Sequence, residues 1–96
     1  MRPPRNTDGQ ALALREQDQS FASIARNLGL KRATDARQAF LRELRSRPAE
    51  ERQELTDREM QRLDKLEVRI RARDVDEPDK LKTRLAALEA MRASLR

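Results

Sequence analysis

Arg37, Gln38, Arg42 and Arg45 fall on one side of a stretch whose other side carries Ala33, Ala36, Phe40 and Leu44, flanked by Ala39 and Leu41. Guanidinium groups fork onto phosphate oxygens or onto the O6 and N7 edge of guanine. A glutamine amide offers a donor and an acceptor together, as the N6 and N7 edge of adenine requires. Such a set of side chains is suited to duplex DNA. Arg37 and Gln38, with Thr34 and Arg32 near the start of the stretch, are the candidates for base edges, whereas Arg42, Arg45, Lys31 and Arg26 have the charge and reach to hold phosphates.

Residues Ser20 to Leu44 supply the elements that must position these groups. Ser20 is a favourable N-cap, and Phe21, Ile24, Ala25 and Leu28 recur at the one-face spacing of a short α-helix. Gly29 stops that helix, because glycine enters the left-handed C′ conformation at little cost, and Leu30 can fold back on the end it leaves. Thr34 is the expected cap of the second helix, with Asp35 favouring its positive end. A cap at Thr34 makes the turn longer than a repressor-type alignment allows and turns Arg37 outward. Thr7 and Gln10 resemble a capping box opening an earlier helix over Asp8 to Asp18, with Ala11, Leu12 and Leu14 as its core candidates. The expected core of the three helices is Leu14, Phe21, Ile24, Leu28, Ala36, Phe40 and Leu44. Phe21 and Phe40, the only two aromatic residues, fall within that core and read as packing and not as base-stacking platforms.

Composition narrows the alternatives. The 96 residues are 41% charged and 36% hydrophobic, so long stretches must be solvated helix surface and the chain buries only a modest core. Two Gly, four Pro and few β-branched residues point to an all-α chain. With no Cys and no His, disulfides, thiolate and imidazole catalysis and nearly all zinc sites are excluded. No nucleophile and base set or phosphate loop is present, so no enzyme activity and no cofactor is expected. No apolar run approaches a membrane span and no signal peptide is evident, which predicts a cytoplasmic protein without a membrane partner; placement at the nucleoid is what the DNA-binding reading adds, and no small-molecule substrate is evident. The net charge of +5 belongs entirely to one half: Met1 to Pro48 holds ten Lys/Arg against five Asp/Glu, and Ala49 to Arg96 holds twelve of each. A basic head on a neutral assembly element is the implied organisation.

Beyond Pro48, well placed to open a helix, a charged run extends to about Arg73 with a narrow stripe of Leu55, Met60, Leu63, Leu66 and Ile70. Glu50, Glu51, Glu54, Asp57 and Glu59 alternate with Arg52 and Arg58, the pattern of a solvated helix. Thr56 with Glu59 matches a capping box that would break the helix near Leu55, but a threonine facing solvent within one long helix is the commoner reason for such a match. Asp74 to Glu77 form a polar connection, and Pro78 starts a last helix bearing Leu81, Leu85, Leu88, Met91 and Leu95. The carboxylates of Asp74, Asp76, Glu77 and Asp79 lack the glycine and terminal glutamate of a calcium loop, so no metal is expected there. So short a connection favours an antiparallel hairpin. Leu63, Leu66, Ile70, Leu81, Leu85, Leu88, Met91 and Leu95 are the candidate oligomerisation residues, unless the last helix packs back within the monomer.

The order GLKRATDARQAFLREL, RPAEERQEL, REMQRLDKLE resembles small helix-turn-helix proteins of actinobacteria and their phages, some labelled small terminase subunits. Ala36, Ala39, Phe40, Arg42 and Leu44 occupy the places of the recognition-helix pattern of that family. Pro48 to Glu51 and Arg62 to Leu66 match its following helix, and the likeness spans about residues 10 to 70. Arg37, where the family often has an aromatic residue, is a departure. The resemblance implies DNA recognition for phage packaging as an alternative role.

The expected architecture is therefore all-α, an N-terminal trihelical helix-turn-helix head followed by a C-terminal antiparallel helical hairpin. Residues 1–6 would be a flexible basic arm, 7–47 the DNA-binding head and 48–96 the hairpin for oligomerisation. Double-stranded DNA binding by a homodimer or higher homo-oligomer, as a transcriptional regulator or nucleoid-associated protein, is the leading expectation. A protein adaptor working through the charged hairpin is the rival from another class. Arg2 and Arg5, around two prolines that forbid a helix, read either as a plain tail or as an arm entering the minor groove beside the main site. Deletion of residues 1–6 is expected to weaken duplex binding at low salt. Unchanged affinity in a fluorescence-anisotropy titration would show the tail to be plain.

Overall fold

Every apolar stripe in the sequence becomes one face of a helix. The computed structural model describes residues 6–96, which form α1 (Thr7–Glu16), α2 (Phe21–Leu28), α3 (Ala33–Ser46), α4 (Ala49–Arg73) and α5 (Pro78–Leu95), with no strand among the described residues. The chain divides into two compact units, Met1–Pro48 and Ala49–Arg96. Among the described residues no helix is long and apolar enough to cross a membrane. Arg2 and Arg5 lie outside the described residues.

In the first unit α1 and α2 both pack on α3 and on each other. Their shared core consists of Ala11, Leu12, Ile24, Ala25, Ala36, Ala39, Phe40, Leu41 and Leu44, all nearly or fully removed from solvent. Of the expected core, Leu14, Phe21 and Leu28 are only half-buried, and Ala11 and Leu12 take the deeper places on α1. Phe21 still meets Phe40, with ring centroids 5.6 Å apart and planes tilted by 56°. Burial of a phenylalanine such as Phe40 stabilises by about 1.5–3 kcal/mol, a large share of what so small a unit can gather.

Helix ends differ from the sequence expectation in two places on α1. The cap is Asn6, not Thr7: its Oδ1 accepts the Gly9 amide at 2.9 Å. Gly9 makes this possible, since a Cβ there would stand 2.5 Å from the Asn6 side chain. The helix also stops at Glu16 and not Asp18, because Asp18 adopts a left-handed φ of 64°. The Asp18 amide reaches Arg15 O at 2.9 Å and the Gln19 amide reaches Leu14 O at 3.3 Å, a Schellman ending with aspartate in the place glycine favours. The end of α2 has the same form with its glycine present: Gly29 sits at φ 71°, and the Leu30 amide returns to Ala25 O at 2.8 Å. Ser20 caps α2 as expected, its Oγ accepting the Ser23 amide at 3.1 Å.

In the second unit α5 runs back along α4, as the cross-helix ion pairs show. Arg84 meets Asp74 at 2.7 Å, and Arg92 meets both Asp64 at 2.9 Å and Glu67 at 2.7 Å. Glu67 also accepts from Arg71, and first that bond, then the one from Arg92, hold its carboxyl below the usual range. Pro78 opens α5 after the turn, and α4 passes Thr56 without a break. Glu59 contradicts the solvated reading. It lies four residues after Leu55 and four before Leu63, on the buried stripe, and is fully enclosed with Arg62 Nη1 3.3 Å away.

A left-handed backbone costs an L-residue about 1–2 kcal/mol, and most of that is relieved by glycine. Asp18→Gly is therefore expected to raise the unfolding free energy by about 1 kcal/mol in urea titration. A loss of stability would show that the aspartate side chain itself holds the turn.

Candidate functional site

The site candidate is the outward side of α3 with the residues leading into it. At 100° per residue, Thr34, Gln38 and Arg45 share one side, at steps of four and seven, and Arg42 lies next to them. All four are exposed. Lys31 and Arg32, in the connection 29–32 between α2 and α3, are exposed as well, and so is Arg26 on α2.

Thr34 does not cap α3. The helix begins at Ala33 with Arg32 as N-cap, and Asp35 at the third position accepts the Arg32 amide through Oδ2 at 3.2 Å. The reason is reach: a carboxylate three residues on can fold back to the cap amide, which leaves the Thr34 hydroxyl outside the end structure. The second Asp35 oxygen lies 3.7 Å from Arg32 Nη2.

Arg37 is the main correction to the expected site. It does not turn outward. Three residues before Phe40, four before Leu41 and seven before Leu44, it falls on the inner side of the helix and is half-buried, its Nε enclosed with no hydrogen-bond partner. Beginning α3 one residue before Thr34 does not alter this, because the rotation of the helix is set by Ala36, Phe40 and Leu44 and not by its cap. Gln38, one residue and 100° further round, is the outward neighbour.

Arg42 is on the outward side but is already engaged. Its Nε and Nη2 donate to the two carboxylate oxygens of Asp8 on α1 at 2.9 and 3.0 Å, a bidentate fork that raises its pKa chiefly through these hydrogen bonds. With 59% of the side chain exposed, the pair is a solvated clasp between α1 and α3. Asp8 drew no attention in the sequence, where a carboxylate 34 residues from its partner carries no local signal.

Arg15 was also invisible there. It stacks 4.1 Å above the Phe21 ring and donates from Nη1 to Gln19 O at 2.9 Å, so it fastens the turn between α1 and α2. The Gln19 side chain in turn accepts from Asn27 Nδ2 at 2.9 Å and from Ser23 Oγ at 3.2 Å. An open, largely apolar notch between α1 and α2 is lined by Gln10, Ala13, Leu14, Asn27 and Leu28 and presents no convergent charged groups.

The proposed assembly residues divide. Leu63, Ile70, Leu88 and Met91 are buried in the single chain, whereas Leu66, Leu81, Leu85 and Leu95 are half-buried. Among the described residues no group of three carboxylate, thiol or imidazole side chains is placed to hold a metal ion, and Asp74 is spent on Arg84. Comparison with known protein families, curated proteins and solved structures finds no match to this chain.

An enclosed donor without a partner costs about 1–3 kcal/mol, so an apolar residue of similar length is tolerated where Arg37 stands. Arg37→Met is expected to leave the melting temperature unchanged or raised. A loss above about 1 kcal/mol would show that the guanidinium holds the unit together.

Proposed function

We propose that the unit Met1–Pro48 is a helix-turn-helix head that binds double-stranded DNA, with α3 lying in the major groove and the α4–α5 hairpin joining it to a second copy of the chain. The observation that carries this reading is the outward side of α3: Thr34, Gln38, Arg42 and Arg45 are exposed together, and Lys31 and Arg32 stand at its entrance. Hydrogen-bonding side chains in the first turns, with Arg45 behind them and Lys31 and Arg32 before them, correspond to base edges on the groove floor and phosphates along its rim, while Arg42 is held by Asp8. The charge supports the same partner, since the whole excess of +5 lies in this half of the chain. The head places three helices around one core, with a four-residue connection before the helix that would enter the groove.

The half-buried Leu66, Leu81, Leu85 and Leu95 are the groups a second hairpin would cover. A twofold assembly would set two heads on successive grooves, as a transcriptional regulator or nucleoid-associated protein requires. A purely adaptor role would need no basic head.

The test is titration of the full chain onto a fluorescent duplex at two salt concentrations, with the mass measured by light scattering. Affinity is expected to fall steeply with salt. Arg45→Ala should weaken binding similarly on every sequence and flatten the salt slope by about one ion. Absent or salt-independent binding would remove DNA as the partner and favour the adaptor role.

A further inference from the structure

The first two turns of α3 differ chemically from the rest of its outward side. Thr34 and Gln38 are neutral and exposed, and neither side chain is hydrogen-bonded to any described residue. Arg32, the remaining base-edge candidate, stands before the helix as its N-cap with its guanidinium 3.7 Å from Asp35, and the other polar groups of this part of α3 are committed or misplaced. Arg37 points along the inner side with its Nε enclosed, Asp35 is folded back on the Arg32 amide, and Arg42 is forked onto Asp8. Gln38 thus holds a free donor and a free acceptor on one planar amide, one turn after Thr34 and at the centre of the exposed stripe.

From this arrangement we infer that Gln38 is the specificity-determining residue of the head, selecting an adenine in the major groove by donating to its N7 and accepting from its N6 amino group. The inference rests on the proposed binding of duplex DNA by α3. Only adenine offers an acceptor and a donor side by side on its groove edge; guanine offers two acceptors, so one end of the amide would be left unpaired. Thr34, lacking a second polar atom, adds no comparable discrimination. The recognised duplex is accordingly one with an A·T pair under Gln38, and no guanine is read by Arg37.

The experiment is selection from a randomised duplex pool by the full-length protein, repeated with Gln38→Ala, whose fold is checked by circular dichroism. The wild type should enrich adenine at one position by about five- to a hundredfold over the other bases. Gln38→Ala should still bind the pool in a salt-dependent manner but lose that preference alone. Placing 7-deazaadenine at the position should weaken the wild type and leave Gln38→Ala unaffected. Salt-dependent binding without an adenine position, or an adenine preference that survives Gln38→Ala, would overturn the role of Gln38 while leaving the DNA-binding head in place. A guanine preference lost with Arg37→Met would do the same. No duplex binding at all would overturn both.

Discussion

The ring of Phe40 fixes the rotation of α3 about its own axis. It is fully buried, meets the ring of Phe21 of α2 at a tilt of 56° and lies in line with Ala36 and Leu44, so α3 cannot turn by one residue without carrying this ring into solvent. That constraint decides which polar side chains face out. Thr34, Gln38 and Arg45 lie on the far side, and Arg37 is drawn inward despite being a residue type that favours solvent. Turning α3 to free the one guanidinium would expose Phe40, Ala36 and Leu44 together, which costs more than a single partly enclosed donor. Arg15 secures the same arrangement from α1 by lying over the Phe21 ring and gripping the carbonyl of Gln19.

The second unit is organised by charge as much as by apolar contact. Leu63, Ile70, Leu88 and Met91 are its buried hydrophobic positions, and the cross-helix pairs of Arg92 with Asp64 and Glu67 and of Arg84 with Asp74 set the register of α5 on α4. Ion pairs lose much of their Coulomb gain to desolvation and contribute little net stability, but charges in the wrong register repel, so they are well suited to choosing among alignments that a uniform leucine stripe leaves nearly equal in energy. Asp74, 3% exposed and held by Arg84, fixes the alignment where the chain turns.

Much of this was legible from the chain alone. Ser20, Gly29 and Pro78 act over a few residues through their own backbone preferences, and the elements they bound stand where those preferences put them. The ends of α1 were less legible. Asn6 displaced Thr7 as cap because Gly9 leaves space for its side chain, and Asp18 took a conformation that glycine more often supplies. Both depend on local fits that residue type states only weakly. Glu59 was misread because charge alternation along a helix describes composition and not which residues share the buried side.

The sequence by itself determined the all-α character, the approximate course of the five helices of the described residues, the excess positive charge of the first half, and the exclusion of thiol and imidazole chemistry. These follow from propensity, periodicity and residue counts, which act locally or as sums. Only the tertiary structure decided that Arg37 lies inward while Gln38 faces out, that Arg42 is clasped by Asp8, and that Arg15 stacks on Phe21. Each depends on two helices meeting, and a side chain on one helix has no local cue to what the other will bring against it. The exposed face of α3 is therefore a product of packing, set by the core beneath it.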